Sequence, residues 1–498
     1  MAPRRRSILG RVLRGLTRLL GSLVLLLLVA ALIAAAWVAL RIARFDQVED
    51  FDSMRSKVTA LGAMADAAKG ASGERPNVVL IVFDDLGYGD LGAYRSSAPA
   101  TPRLDRLATQ GAVFESYYSP MPYCTPARAG MLTGRWPIRT GLTHVVFPEG
   151  HPIDSLERYT GGPIRLPADE ITLAEALGAA GYETAMVGKW HLGDARPSLP
   201  NDLGFDHFLG VLYSNDMSPF ALWRDRKIVA PDPVDQRTLT RKYTEEAVAF
   251  VEAEREQPFF LYVAHTFPHQ PLHASPEQAG KSAAGLYGDV ISDLDASTGA
   301  ILDALERRGL TRKTLVLVTS DNGPWYQGSP GGVRGRKNDV FEGGMRVPLL
   351  VRWPGRIPAG QRIEAVTAGV DLFPTVLARA GAPLPADRIV DGVDLWPLLT
   401  TRASLPERPI WYYQGDSLLA VRSGRWKAHR PHGVFGGLPA NWSLVPLAAQ
   451  GPWLFDLERD PDESYDVSQK HPEELERLLS AMRELESEMA INPRGWKR

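Results

Sequence analysis

Cysteine is almost absent: Cys124 is the only one in 498 residues. A lone cysteine excludes any disulfide within the chain, and with it a fold stapled by disulfides. An excess of charge of either sign is missing too. The 56 Lys and Arg against 58 Asp and Glu leave a formal charge of −2, which gives no electrostatic reason to expect nucleic acid as a partner. No internal repeat or low-complexity tract is visible in the sequence. What remains is an ordinary globular composition, 44% apolar and 23% charged. The chain is long enough to bury a large core and too long for one small domain.

The one long hydrophobic run lies at the start. Arg4, Arg5, Arg6, Arg11, Arg14 and Arg18 precede Leu19–Leu40, 22 residues without a charge, and Arg41 and Arg44 close it. Such a run spans roughly 30 Å of hydrocarbon. The excess of arginine ahead of it predicts a basic cytoplasmic arm (1–18), a transmembrane anchor (19–40) and an extracytoplasmic remainder, periplasmic or extracellular. The alternative is a signal peptide cleaved near Ala34-Ala35-Ala36, which would give a secreted protein. Arg5-Arg6-Ser7-Ile8-Leu9 is also similar to a twin-arginine export signal. Residues 41–74 are mixed and read as a linker or a short stalk helix.

From Asn77 the pattern changes. Val78–Phe83 is an unbroken apolar run of strand length, the pattern of a parallel strand covered on both faces. Similar runs occur at 184–187, 259–263, 315–318 and 347–351. Helical patterns lie between them, at Thr172–Ala180, at Tyr243–Glu256, and along Ile291, Leu294, Thr298, Ile301, Leu302 and Leu305, mostly spaced at three and four. This alternation predicts an α/β domain over 75–385, a doubly wound, mostly parallel sheet flanked by helices. Beyond it come short aromatic segments at 409–413, 418–422 and 425–429, then a charged helix Pro472–Met489. They predict a smaller α+β domain, 386–498, with an antiparallel sheet. The sequon Asn441-Trp442-Ser443 is too common a pattern to predict glycosylation.

Ligands of an open α/β sheet sit beyond the carboxyl ends of its strands. Asp84-Asp85 follow the first run, Gly188-Lys189-Trp190-His191 the second, His265 and His269-Gln270-Pro271-Leu272 the third, and Asp321-Asn322-Gly323 the fourth. Carboxylates, an amide, a lysine and imidazoles thus gather on one rim. Asp84, Asp85, Asp321 and Asn322 offer the oxygen donors that a hard cation such as Ca²⁺ or Mg²⁺ takes, and the set lacks the thiolate and imidazole that favour zinc. Three carboxylates on one rim would repel one another without a cation. Lys189, following a buried strand, needs an anionic partner. Lys337 follows a glycine-rich loop, and His265 and His273 stand as decoys beside His269. Trp325, Tyr326, His144 and Phe220 are candidates for pocket lining.

Cys124-Thr125-Pro126-Ala127-Arg128 is the remaining feature. Pro126 suits the first turn of a helix and Gly134 its end, which places Cys124 at a helix N-terminus, where free N–H groups favour negative charge. Together with Leu132-Thr133-Gly134-Arg135, this stretch resembles the signature of the sulfatase family, in the arylsulfatase A-like branch of the alkaline phosphatase superfamily. The resemblance runs from about Asn77 to Val467 and includes Ala420–Lys427 and Phe455–Pro461. The chain departs from secreted members in lacking their disulfide cysteines and in its N-terminal apolar run.

The resemblance implies a hydrolase that cleaves sulfate esters to an alcohol and inorganic sulfate. It implies that a formylglycine-generating enzyme oxidises Cys124 to formylglycine, and that one Ca²⁺ per chain is held by Asp84, Asp85, Cys124, Asp321 and Asn322. Lys189, His269 and Lys337 would hold the sulfate ester, with Ser214 also at the site. His191 would contact the formylglycine, and Arg128 would pin it. The implied reaction is attack on sulfur by a hydroxyl of hydrated residue 124, with a proton from His269 or Lys337 for the leaving alcohol and His191 as base for release. Two alternatives stand beside it: a phosphonate monoester or phosphodiester hydrolase of the same superfamily, and a non-catalytic, membrane-tethered binder of sulfated glycans.

Overall fold

A computed structural model of the chain describes residues 5–47, 49–70, 75–95, 97–401, 403–432 and 450–497. The sequon at 441–443 and the first four residues of the basic arm lie outside the described residues. The chain divides into two compact units, the smaller made of the residues up to 47 with 149–164.

In the smaller unit a helix runs over Arg5–Arg44. Its stretch Gly10–Arg44 is the one helix among the described residues long and apolar enough to cross a bilayer. A short helix, Pro152–Thr160, lies against its end. Tyr159 meets Trp37 edge-to-face at 6.3 Å, and the Arg41 guanidinium sits 5.0 Å from the Tyr159 ring.

In the larger unit the strands, in chain order, are β1 Asn77–Phe83, β2 Ala112–Phe114, β3 Tyr117–Tyr118, β4 Glu183–Lys189, β5 His207–Val211, β6 Leu222–Arg224, β7 Lys227–Ala230 and β8 Phe259–Ala264. They continue with β9 Thr314–Ser320, β10 Leu349–Arg352, β11 Gln361–Ile363, β12 Thr367–Ala368, β13 Ile410–Gln414, β14 Ser417–Ser423, β15 Trp426–His429 and β16 Trp453–Asp456. Among the described residues ten strands form one sheet in the order β11-β2-β10-β9-β1-β8-β4-β5-β6-β7. Its middle, β9-β1-β8-β4-β5, is all parallel. The unbroken apolar run of β1 is explained by two-sided burial. Val78, Leu80 and Val82 enter one core cluster, and Val79, Ile81 and Phe83 the other, as strand alternation dictates. A second sheet, β13-β14-β15-β16, is antiparallel and is backed by the helix Pro472–Ile491 through Leu478, Met482 and Leu485.

Several expectations shift. The run at 347–351 is not a parallel strand: β10 pairs antiparallel with β9. After β9 no crossover helix carries the chain back to the amino edge of the sheet, so it returns from the carboxyl rim in the opposite sense. The helix expected at Tyr243–Glu256 starts at Leu239 and ends at Glu252, because Leu239, Tyr243, Ala247 and Val251 form the buried stripe and Ala253 is already extended. Strand β16 was not foreseen. Within 41–74, residues Phe51–Gly70 form a helix with one face buried, comprising Ser53, Lys57, Ala60, Met64 and Ala68. Lys57 Nζ donates to Ala168 O at 2.6 Å and pairs with Glu175 at 2.5 Å, so this helix is built into the larger unit.

Gly188, one residue before Lys189, has φ +110, and a Cβ there would lie 1.8 Å from the Ala264 carbonyl oxygen on β8. Both the backbone angle and the contact demand glycine. Gly188→Ala is expected to cost more than about 4 kcal/mol, a large part of a typical domain's stability. Soluble yield and thermal unfolding followed by circular dichroism measure this. A variant with wild-type yield and midpoint would contradict it.

Candidate active site

Residue 124 is positioned by a helix, Cys124–Thr133, whose ten residues are all buried. Tyr123 is its extended N-cap, and Gly134 ends it in the left-handed conformation at φ 69. The helix is where the sequence placed it. Its electrostatics are not. Burial pushes the Cys124 thiol up to about 12, outweighing Lys189 and Lys337, so the helix N-terminus does not produce a thiolate here. A buried, protonated thiol is a poor nucleophile.

The carboxylates come from the neighbouring strands β1 and β9. The Asp84 amide donates to Phe267 O at 3.2 Å and the Asp321 amide to Phe83 O at 3.0 Å, which extends the sheet one residue past each strand. Asp85 then turns to φ 67, and its amide donates to Asp321 Oδ1 at 3.1 Å. Asn322 Nδ2 donates to Asp85 Oδ1 at 2.7 Å and to Gly323 O at 2.9 Å. Ser320 Oγ accepts from the Leu86 amide at 2.9 Å and donates to Asn322 O at 2.9 Å, locking the two turns together.

Three cations interleave with the carboxylates. Arg128 donates to Asp321 Oδ2 from Nε at 3.0 Å and Nη2 at 2.8 Å, and from Nη1 to Lys189 O at 2.8 Å. Lys189 Nζ donates to Asp84 Oδ2 at 2.5 Å and to Ser214 Oγ at 2.9 Å. Lys337 Nζ donates to Asp85 Oδ2 at 2.9 Å. Asp84 shows the balance: burial pushes its pKa up, but Lys189, His269, Arg128 and Lys337 together hold it well below the usual range. Burial, then the Asp84 charge, push Asp321 up to about 7 despite Arg128. Burial works against the Lys337 ammonium, yet Asp85 and its neighbours raise it above the ordinary lysine value.

The histidines are poised differently. His269 Nδ1 faces Asn215 Oδ1 at 2.9 Å and Gln270 O at 2.6 Å. Both are acceptors, so Nδ1 carries the proton. Nε2 is left facing Ser214 Oγ at 3.3 Å and Asp85 at 3.8 Å. His191 Nε2 donates to Val146 O at 3.1 Å, and its buried Nδ1 has no partner. Burial, with Lys189 and Arg128, keeps the His191 pKa far below the usual histidine value, so it is a neutral imidazole with an open lone pair.

Ligand atoms of Asp84, Asp85, Cys124 and His269 all lie within 4.8 Å of one another. The mutual repulsion expected of Asp84, Asp85 and Asp321 does not by itself demand a metal, because Arg128, Lys189 and Lys337 match them one for one. What fits a hard cation is the remainder: Asp84 Oδ1 and Asn322 Oδ1 are buried oxygens without a hydrogen-bond partner, the donor type that calcium takes. Of the five non-glycine residues with positive φ among the described residues, Asp85, His191 and Asn338 belong to this region. Sparsely populated backbone of this kind concentrates at functional sites.

The candidate catalytic, sulfate-binding and metal residues read from the sequence lie together here, whereas the candidate lining residues do not all do so. Asn215 and Ser320 were missed, and only their positions beside Ser214 and Asp321 could have signalled them. Phe220 does not line the site: it is buried in the core with Val211 and Leu222. Tyr326 is 54% exposed and packs edge-to-face on Trp325 at 5.0 Å. His144 is half-buried, with Nδ1 3.0 Å from Thr143 Oγ1. His265 is a core histidine, stacked on Phe83 at 5.6 Å and held down to about 3 by burial.

Comparison with known proteins gives the same direction. A family model described as Sulfatase matches residues 76–382, and one described as the C-terminal region of aryl-sulfatase matches 405–497. The mouse (Mus musculus) N-acetylgalactosamine-6-sulfatase is 37% identical over 461 residues, covering 85% of this chain and 87% of that protein. Human (Homo sapiens) arylsulfatase A is 36% identical over 465 residues, covering 85% and 89%. The crystal structure of the PsFucS1 sulfatase from Pseudoalteromonas sp. superposes with a TM-score of 0.74 at 26% identity, covering 90% of this chain and 96% of that one.

Arg128→Met removes both bonds to Asp321 and strands a buried carboxylate. Breaking such a pair costs about 3–5 kcal/mol. The expected result is a much lower urea midpoint, partly recovered in Arg128→Lys, which keeps the charge without the two-pronged contact. Unchanged midpoints in both variants would contradict this.

Proposed function

The chain belongs to the sulfatase family and is a sulfuric ester hydrolase, and on that premise we propose that Cys124, converted to formylglycine, is its nucleophile, beside one calcium ion held by Asp84, Asp85, residue 124, Asp321 and Asn322. The observation that carries this reading is the packing of Cys124 with Asp84, Asp85 and His269 within 4.8 Å, ringed by Lys189 and Lys337.

A formylglycine supplies, once hydrated, the oxygen nucleophile that the protonated thiol lacks. A calcium ion in this donor set supplies Lewis-acid neutralisation of the sulfate oxygens. The protein's own groups do the rest. Lys189 and Lys337 leave their carboxylates to bind the non-bridging oxygens, and Ser214 adds a hydroxyl, so that developing charge meets fixed donors. Lys337, held in its charged form by Asp85, carries a proton towards the leaving oxygen. His269, oriented through Nδ1 by Asn215 and Gln270, faces the same oxygen with Nε2. His191 Nδ1, neutral and unpartnered, takes the proton from residue 124 that accompanies release. Arg128 holds Asp321 and the Lys189 carbonyl and so fixes the floor.

Cys124 is only 2% exposed, so a formylglycine-generating enzyme reaches it before the chain has folded. Sulfated glycans and small sulfate esters are the substrates this reading admits. The helix ending at Arg44 is taken as a retained anchor with its arginine-rich end in the cytoplasm. Residues 75–385 and 386–498 are taken as the catalytic and C-terminal domains.

Peptide mass spectrometry across residue 124 is expected to find an aldehyde in place of the thiol. Cys124→Ala is expected to lower aryl sulfate hydrolysis at least about a thousandfold with an unchanged melting temperature; wild-type turnover in that variant would contradict the proposal. Aryl phosphonate, assayed alongside, is expected to turn over more slowly than the sulfate. Chelation is expected to abolish activity and lower the melting temperature, with both restored by calcium and not by zinc. Stoichiometric zinc in the active protein would overturn the metal assignment.

A further inference from the structure

The loop that carries Lys337 has an unusual backbone. Asn338, the next residue, sits at φ 75, a left-handed turn that asparagine enters more readily than other non-glycine residues and that must still be held in place. Two hydrogen bonds hold it. The Asn338 amide donates to Pro122 O at 2.8 Å, and the Asn338 carbonyl accepts from Gln414 Nε2 at 2.7 Å. Pro122 leads into the Cys124 helix. Gln414 comes from the second sheet, at the end of β13 where it pairs with Ser417 of β14.

The tip of that hairpin touches the nucleophile's side too. The Gly415 amide donates to the Tyr123 hydroxyl, which in turn donates to Thr143 O at 3.0 Å. Thr143 Oγ1 donates to the Asp416 carboxylate. Gly415 has φ 57, and a Cβ there would come within 2.9 Å of His144 Nε2, so the tip fits against this wall only with glycine at that position. The far end of the lysine loop is held by the same C-terminal part, since the Glu342 amide donates to Glu463 Oε2 at 2.6 Å.

We propose that Gln414 is a positioning residue for Lys337: its carboxamide, bonded to the Asn338 carbonyl, fixes the left-handed turn that aims the Lys337 ammonium at the sulfate beside residue 124. The C-terminal sheet is thereby part of the catalytic wall. This rests on the reading that Lys337 binds the sulfate group. Gln414 is half-buried at a hairpin end, so removing its amide loosens the loop without opening a core.

The test uses the full-length protein with Gln414→Leu, Gln414→Glu and Gln414→Lys. Leucine removes the donor, glutamate replaces it with a charge facing a carbonyl, and lysine supplies a donor again. In Gln414→Leu the KM for an aryl sulfate is expected to rise about tenfold, the scale of one lost hydrogen bond, and kcat is expected to fall as well, because Lys337 also carries the proton to the leaving oxygen. The inhibition constant of inorganic sulfate is expected to rise by the same factor. The melting temperature is expected to stay within about 2 °C of wild type. Glutamate is expected to be worse and lysine to recover most of the loss. Hydrogen exchange is expected to show lost protection over 334–340 in Gln414→Leu. Wild-type KM in that variant, or a loss that lysine does not relieve, overturns the proposal. A wild type that hydrolyses no sulfate ester would overturn the functional reading, and the exchange experiment still decides: lost protection at 334–340 supports the positioning role, unchanged protection overturns it.

Discussion

The site depends on one register. β1 and β9 lie side by side and parallel, with Phe83 paired to Ser320, so the next residue on each strand, Asp84 and Asp321, emerges at the same height. On the other flank β8 pairs Ala264 with Val82 of β1 and with Gly188 of β4. Lys189 and the chain leading to His269 therefore leave the sheet at that rim as well. A slip of one residue between any of these strands would send the polar side chains to opposite faces. Two-sided burial of β1 prevents the slip, because Val79, Ile81 and Phe83 cannot exchange faces with Val78, Leu80 and Val82 without disturbing both core clusters.

The rim that results is crowded with charge yet balanced. Asp84, Asp85 and Asp321 face Lys189, Lys337 and Arg128. Six buried ionised groups would be prohibitively costly singly and are tolerable as pairs. The balance has a functional consequence. Under the proposed function, a divalent cation added to this neutral set would leave it net positive, which would suit an anionic ester and would let the two lysines turn from carboxylate to substrate without stranding a negative charge. It also accounts for the thiol. With the lysines already matched by carboxylates, little positive field is left at Cys124 to offset burial, and its proton stays on.

The rim was legible in the sequence because each feature on it has a local signature. Unbroken apolar runs mark doubly covered strands, and the residues just after such a run in a parallel sheet lie at its carboxyl end. That rule placed Asp84, Lys189, His269 and Asp321 without long-range information. Lys337 and Ser214 lie on loops, where local pattern is silent, and only their likeness to a family motif singled them out. What escaped were contacts between elements distant in sequence. Asn215 orients His269 from 54 residues away, and Phe220 is as apolar as a pocket-lining residue but fills the core. β10 was misjudged because burial on both faces reads the same in parallel and antiparallel strands. The helix at 51–70 was left open because its buried face carries Ser53 and Lys57, which look solvent-exposed until Asp169 and Glu175 are placed opposite them.

The C-terminal sheet raises a question of energetics. It meets the catalytic part through a second buried charge cluster, in which Lys427 Nζ pairs with Glu342 at 3.1 Å and Glu463 at 3.0 Å, His429 Nε2 meets Glu463 at 2.8 Å, and Tyr118 donates to Glu342 at 2.6 Å. Burial, joined by the Glu342 charge, raises Glu463 to about 7 against the pull of Lys427. An apolar seam of equal volume would hold two sheets together at least as well, because ion pairs seldom outweigh their desolvation. What charges add is direction: Glu463 Oε1 meets both Lys427 and His429, and Glu342 Oε1 both Lys427 and Tyr412, contacts that only one register of the two surfaces satisfies together. That precision is unnecessary for an appendage. It is what a wall needs when one of its hairpins must meet both Asn338, the neighbour of Lys337, and Tyr123, the neighbour of Cys124, at hydrogen-bond distance.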